Sequence, residues 1–334
     1  MAWLKDSWAR LMQRMTGGRL PHALLVTGEN GVGKRLFADA LAGLLVCERP
    51  EMTAGAPCGE CKQCELASAG THPDIRVYTP EKSRMIKIDQ IRALSSFAVG
   101  SPQVASSKVA IIDRADQLNI NSANALLKTL EEPADDVTLI LLQESGRPVL
   151  PTIRSRCQSL LIATPARDQA AGWLVSAVAE LDADSRPTPE QCEKALGLAA
   201  NAPRLALEYA TGDFIGLRDE ALENFRCFMK GQLSVAEAAK PFRAMGLENA
   251  LWLFEGWAGD LARIGAGSPP RDKDAAEMLA FLASHNPPWR AHEILDAIHE
   301  SRSAGVYNVN PELEAGRLLI AWQKLMPVRR PAAG

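Results

Sequence analysis

An apolar run, His22–Thr27, passes directly into Gly28-Glu29-Asn30-Gly31-Val32-Gly33-Lys34, and then into a segment from Lys34 to Val46 with Leu36, Phe37, Ala40, Leu41, Leu44 and Leu45 at helical spacing. Strand, glycine loop, helix is the order required of a phosphate-binding loop, and it commits the first part of the chain to an α/β fold. The glycines let successive backbone N–H groups curl around phosphates, the lysine reaches the β and γ oxygens, and the hydroxyl of the next residue ligates Mg²⁺. Here that next residue is Arg35. Arginine carries only donors and cannot ligate a metal. Gly28, Gly31, Gly33 and Lys34 retain the means to hold the phosphates of ATP or ADP without Mg²⁺; Arg35 filling the pocket is the competing reading, and the residues leave both open.

A second strand carries a second departure. Lys108-Val109-Ala110-Ile111-Ile112-Asp113 is a hydrophobic run ending in an acid, as in strands whose aspartate binds Mg²⁺ in phosphate-loop proteins. ATPases of this organisation usually place a glutamate next, to polarise the attacking water, whereas Arg114 stands here and cannot accept a proton. Two hydrolytic parts are therefore missing, and Asp113 is either a relic of the nucleotide site or simply the close of a strand.

Four cysteines, Cys47, Cys58, Cys61 and Cys64, form a knuckle with Pro57 and Gly59 at its turn. Thiolates a few positions apart on a tight turn can hold one tetrahedral Zn²⁺, and a four-cysteine set leaves no coordination position for substrate, so this zinc is expected to be structural. Disulfides are the alternative, but nothing suggests export, and intracellular thiols stay reduced. Cys157, Cys192 and Cys227 lie apart and read as small buried hydrophobes.

With the loop, the inserted knuckle, Thr71-His72-Pro73-Asp74, the segment Asn121-Ser122-Ala123-Asn124-Ala125-Leu126-Leu127-Lys128-Thr129-Leu130-Glu131-Glu132-Pro133, and Ser155-Arg156-Cys157 in this order, nearly the whole chain resembles the clamp-loader subunits of bacterial DNA polymerase III, of the AAA+ class. Within that family it is similar to the delta prime type, whose nucleotide site is degenerate, rather than to the motor type. The resemblance implies a non-hydrolysing subunit that helps load the sliding clamp on primed DNA. Its partners would be the ATP-hydrolysing gamma/tau motor subunits and the delta subunit in a five-membered ring. It also implies that Arg156 projects into a neighbour's nucleotide site as an arginine finger, a task suited to guanidinium because it stays charged and presents forked donors to phosphate oxygens. Arg204, in Asn201-Ala202-Pro203-Arg204-Leu205, resembles the lid arginine that senses nucleotide; an exposed arginine at a helix start is the equal alternative. A polar sensor is implied after the strand Val137–Leu142, where Gln143, Glu144 and Ser145 stand, with no way to choose among them.

The rest of the chain fits this frame. At 334 residues it is too long for one compact core. Strand signals at Ala23–Thr27, Asp74–Tyr78, Val109–Ile112, Val137–Leu142 and Gln158–Ile162 alternate with helical ones, which predicts a parallel sheet flanked by helices. Beyond Thr164-Pro165 only helical patterns follow: Gln169–Leu181, Pro189–Ala200, Arg204–Tyr209, a stripe of Leu247, Leu251, Phe254, Trp257 and Leu261, then Ala275–Leu282, Arg290–His299 and Pro311–Lys324. The expected division is a phosphate-loop domain over 1–163 with the zinc module at 47–64, a helical lid over 164–212 and an all-α collar over 213–334. Trp252, Trp289 and Trp322 are expected in the core. Pro287 and Pro288 separate His285 from His292 and His299, so these histidines do not form a metal site.

A net charge of −3 argues against a surface that grips nucleic acid broadly. Lys82-Ser83-Arg84, Lys87 and Arg92 read as a solvated face, and Arg329-Arg330 as a frayed tail. No apolar run is long enough to span a bilayer and the first residues lack a signal-peptide core, which makes the cytoplasm the expected location. Two other classes compete with the clamp-loader reading. An autonomous ATPase motor is opposed by Arg35 and Arg114; a zinc-dependent nucleic-acid-binding module is distinguished by a salt series of binding measurements.

Overall fold

The computed structural model describes residues 1–17, 20–81, 85–304 and 310–327; Lys82, Ser83, Arg84, Arg329 and Arg330 lie outside them. The chain divides into two compact units, one formed by Met1–Arg186 with Ala199–Leu207, the other by Pro187–Leu198 with the residues from Glu208 onward.

The first unit runs α1 (Lys5–Thr16), β1 (Ala23–Gly28), α2 (Lys34–Val46), α3 (Lys62–Ser68), β2 (Ile75–Tyr78), α4 (Ile88–Val99), β3 (Lys108–Asp113), α5 (Ile120–Glu131), β4 (Val137–Glu144), α6 (Pro151–Arg154), β5 (Gln158–Leu161) and α7 (Arg167–Ala179). Its five strands form one parallel sheet in the order β2-β3-β4-β1-β5. The three central strands are buried along almost their whole length, which is why they read as unbroken apolar runs rather than alternating ones. All five strands stand where the sequence predicts, within a residue or two. Since β4 lies between β1 and β3, the pairs Thr27↔Gln143, Gly28↔Glu144 and Asp113↔Leu142 bring three strand ends to one edge.

Polar groups at the opposite edge hold the inserted knuckle to this sheet. The carboxylate of Asp74 accepts backbone N–H bonds from Gln103, Val104 and Ala105 at 2.7, 2.8 and 2.8 Å. Nδ1 of the buried His72 accepts the Asp74 N–H at 3.0 Å, so its Nε2 carries the proton that reaches Gln63 Oε1 on α3 at 3.0 Å. Gln63 in turn donates to the carbonyl of Val104 at 3.1 Å. Thr71-His72-Pro73-Asp74 is thus a clasp joining α3 to the loop that leads into β3. Lys108, fully buried at the start of β3, donates to the carbonyls of Phe97, Ala98 and Gly100, placing a cation where the dipole of α4 is negative.

The second unit is helical throughout its described residues: α8 (Pro189–Leu198), the end of α9 (Pro203–Thr211), α10 (Phe214–Met229), α11 (Val235–Met245), α12 (Leu247–Gly265), α13 (Ala276–His285), α14 (Trp289–Ala304) and α15 (Pro311–Gln323). The predicted stripe of α12 is buried, and Phe254 and Trp257 join Phe225, Phe242 and Trp322 in one aromatic cluster. Trp322 is core as expected, and Trp252 is half-buried against Tyr209 and Phe214. Trp289 corrects the expectation: it is 54% exposed, because it opens α14 directly after Pro287-Pro288 and lies beside the Arg290 guanidinium rather than under a neighbouring helix.

Burial opposes the charge on Asp74, but its three N–H donors outweigh that cost and hold its pKa below the ordinary carboxylate range. A depressed folded pKa contributes stability that is present above the unfolded value and lost as pH falls through the folded one. Asp74→Asn should lower the unfolding free energy by about 1.5–3 kcal/mol at neutral pH, with the gap from wild type closing below about pH 4; urea titrations at pH 7 and pH 3.5 measure both.

Candidate functional site

The loop after β1 has the backbone of a phosphate cradle. Gly31 and Gly33 have φ of +76° and +99°, left-handed conformations that favour glycine. Gly31 is doubly constrained, since a Cβ there would lie 2.4 Å from that of Leu205. The N–H of Arg204 donates to the Gly31 carbonyl at 3.0 Å, so the first turn of α9 rests on the loop while the Arg204 side chain is exposed. Trp3 Nε1 donates to the Val32 carbonyl at 2.9 Å, and Met1 lies against Gly33.

The lysine of the loop is turned onto its own backbone. Lys34 Nζ donates to the carbonyls of Gly28 and Glu29 at 2.8 and 2.7 Å. Burial draws its pKa down, against the partial support of Glu144. Arg35 is paired on both sides: Nε donates to Asp39 at 2.8 Å and Nη1 to Asp113 at 3.3 Å. Burial works against this guanidinium, yet the two carboxylates raise its pKa above the ordinary value. Asp113 therefore already has a cation from its own chain.

Arg114 is equally engaged. It holds a left-handed φ of +83°, donates to Asp116 Oδ2 from Nε and Nη2 at 3.3 and 3.0 Å, and lies 3.3 Å from Glu144, which also pairs with Arg147 at 3.0 Å. Asp116 and Arg147 were not legible as site residues, because they meet Arg114 and Glu144 only through the β3–β4 pairing. The three residues at the implied sensor position make different contacts. Gln143 is buried, taking a bond from Thr27 and one from Arg154 and donating to the Arg147 carbonyl; Glu144 is in the ion-pair network; the Ser145 N–H bonds Gly28. Four cations, Lys34, Arg35, Arg114 and Arg147, thus face Asp113, Asp116 and Glu144, and the described residues place no carboxylate next to Asp113 in the chain to take a proton from water.

Arg156 stands apart from the loop, in the turn between α6 and β5. Its guanidinium donates to the Thr152 carbonyl at 3.0 Å and pairs with Glu131.

The cysteines converge. Cys47 follows α2, Cys61 precedes α3 and Cys64 lies in its first turn. Sγ separations are 4.0 Å for Cys47–Cys61, 3.9 Å for Cys58–Cys64 and 3.5 Å for Cys61–Cys64, and all four atoms lie within 4.8 Å of one another. A tetrahedron with metal–sulfur bonds of about 2.3 Å has sulfurs about 3.8 Å apart, so the set fits a metal ion without rearrangement of the backbone. The environment of these thiols is divided: the Glu48 backbone N–H draws Cys61 down to about 6, while burial pushes Cys64 up to about 12. A bound cation would stabilise all four as thiolates. No other such group of His, Cys, Asp or Glu occurs among the described residues. The remaining cysteines correct the expectation of full burial. Cys157, Cys192 and Cys227 are half-buried, with the Cys157 thiol pushed up to about 11 by burial.

A family model described as "DNA polymerase III, delta subunit" matches residues 3–166. The DNA polymerase III subunit delta prime of Pseudomonas aeruginosa is 31% identical over 331 residues, covering 97% of each chain. That of Escherichia coli K12 is 29% identical over 325 residues, covering 95% of this chain and 93% of the relative. The DNA polymerase III subunit tau/gamma of Haemophilus influenzae is 36% identical over 147 residues, which is 44% of this chain and 21% of that one.

Two outcomes follow from the two centres. The isolated chain should hydrolyse ATP at background rate only, and Arg35→Thr alone should leave it there because Arg114 still replaces the base; turnover that survives stringent purification and vanishes with Lys34→Ala contradicts this. Metal analysis after reducing, chelator-free purification should find one zinc per chain, and Cys61→Ser should lose it and unfold at lower temperature without gaining or losing hydrolytic chemistry.

Proposed function

Because the chain belongs to the DNA polymerase III delta prime family, we propose that it works as the non-hydrolysing member of a clamp-loader ring, assembling with gamma/tau motor subunits and delta to place the sliding clamp on primed DNA in the cytoplasm. The observation that carries this reading is Arg35 on Asp113. A cation built into the chain sits where a motor subunit would bind Mg²⁺, so the fold of a nucleotide switch is kept while its chemistry is removed. ADP or ATP would have to detach Lys34 from Gly28 and Glu29 before the ammonium could meet a phosphate, which disfavours tight binding. No helix among the described residues is long and apolar enough to cross a membrane.

In this reading residues 1–163 are the AAA+ domain, 164–212 a lid and 213–334 the collar that joins the ring. The Cys47, Cys58, Cys61 and Cys64 cluster holds structural zinc, supported by a closed four-thiolate set with no position for a substrate. Arg204 serves as the lid arginine, with its backbone on the loop at Gly31. Arg156 acts in trans on a neighbour's nucleotide, so that a chain inert at its own site contributes to hydrolysis at another. Its half-exposed position is what a residue with an intermolecular target requires.

Arg156→Ala should leave the isolated chain folded and the ring assembled, yet lower DNA- and clamp-stimulated ATP hydrolysis of the reconstituted complex. A trans arginine can supply about 10³-fold or more at its own site; the loss in the whole complex is smaller because other sites keep their own arginines. Arg156→Lys should rescue poorly, since the ammonium loses the forked geometry. Wild-type hydrolysis and clamp loading by the Arg156→Ala complex would make Arg156 a structural residue.

A further inference from the structure

Arg156 is not a loose surface cation. Its backbone is held in a tight turn, with its N–H on the Ile153 carbonyl at 3.1 Å and that of Ser155 on Pro151 at 2.9 Å. One terminal nitrogen of the guanidinium donates to the Thr152 carbonyl at 3.0 Å and lies 3.4 Å from Ser155 Oγ; the other pairs with the carboxylate of Glu131. Glu131 is the last residue of α5, so the negative end of that helix adds to the attraction. Two sequence motifs 25 residues apart are joined by this contact. The side chains of the pair are 35% and 48% exposed, so water screens it and it adds little to folding. What such a pair does well is select one rotamer of a long, otherwise mobile side chain.

We propose that Glu131 is a positioning residue for Arg156: it holds one edge of the guanidinium and presents the other outward, ready for the phosphate of a neighbouring subunit's nucleotide. The proposal rests on the reading of Arg156 as an arginine acting in trans. Guanidinium has five N–H donors, and the bonds to Thr152, Ser155 and Glu131 use at most three, which leaves at least two for a phosphate. A donor already fixed in its rotamer loses less freedom on engagement, and the gain appears in the catalysed step rather than in nucleotide affinity. The carboxylate takes one Nη2 hydrogen and leaves the other available together with Nε–H, so it supports the orientation without replacing the phosphate as partner.

The test uses the reconstituted loader with Glu131→Gln, Arg156→Ala, the double variant, and Glu132→Gln as a neighbouring-charge control. The difference between wild type and Arg156→Ala defines the Arg156-dependent part of the stimulated rate. Glu131→Gln should remove roughly half or more of that part through kcat with KM for ATP unchanged, as expected when orientation and not binding is lost. The double variant should match Arg156→Ala, and Glu132→Gln should match wild type. In the isolated chain, the Arg156 Nε–H signal in NMR should show faster side-chain motion with Glu131→Gln. A further drop from Glu131→Gln in the Arg156→Ala background would mean that it acts elsewhere, and a faster complex would make Glu131 a competitor of the phosphate; either overturns the proposal. If Arg156→Ala changes nothing, the trans-arginine reading itself fails and the proposal with it. If Arg156→Ala is impaired while Glu131→Gln is not, only the positioning role fails.

Discussion

The placement of β4 between β1 and β3 is the constraint on which the nucleotide-type site depends. Parallel pairing in this order brings Gly28, Glu144 and the end of β3 to one edge of the sheet, where loops rather than ladder bonds continue the chain. Every charged group of the site hangs from one of these strand ends or from the helix that follows β1. A shift of the register by one residue would turn each side chain to the opposite face, so burial of the central strands also sets the geometry of the charges.

What has been assembled at that edge is a site neutralised by its own residues. In a hydrolytic loop, the lysine and the metal await phosphate and the acids await the metal. Here Lys34 is bonded to its own loop, Arg35 to Asp113 and Arg114 to Asp116. Such pairing keeps the strand ends together without a ligand, because buried charges left unpaired would be costly. In the proposed reading, the fold of a nucleotide switch serves here as a fixed support. A fixed support suits the proposed role, in which the contribution is made through Arg156 at a neighbour's site.

The knuckle follows the same logic. A loop of more than ten residues inserted between α2 and α3 buries too little to order itself, and its three sulfurs converge with that of Cys64 on α3 where a metal can hold them. The His72 and Asp74 clasp then ties the insertion to β3 through backbone N–H groups. A metal held there would, together with the clasp, replace a hydrophobic core that so short a segment cannot build.

The amino-acid sequence by itself determined the loop, the five strands, the buried stripe of α12 and the cysteine set. Each of these is local: glycines, apolar runs and ligand spacing act within a few residues of one another. It also disclosed that Arg35 and Arg114 break the hydrolytic pattern, though not where their guanidinium groups go. It left α1, α4, α10 and α11 without a prediction, and nothing local signalled that Arg218 of α10 is fully buried beside Asp219, Asp272 and Asp274. Only the tertiary structure decided that Arg35 reaches Asp113, that Glu144 and Arg147 complete the network around Arg114, that α9 rests on Gly31, and that Glu131 holds Arg156. The physical reason is common to all four. Each joins side chains or backbone from different elements, and electrostatic and hydrogen-bond partners are chosen by distance in space, which spacing along a chain does not encode until the strand order is known.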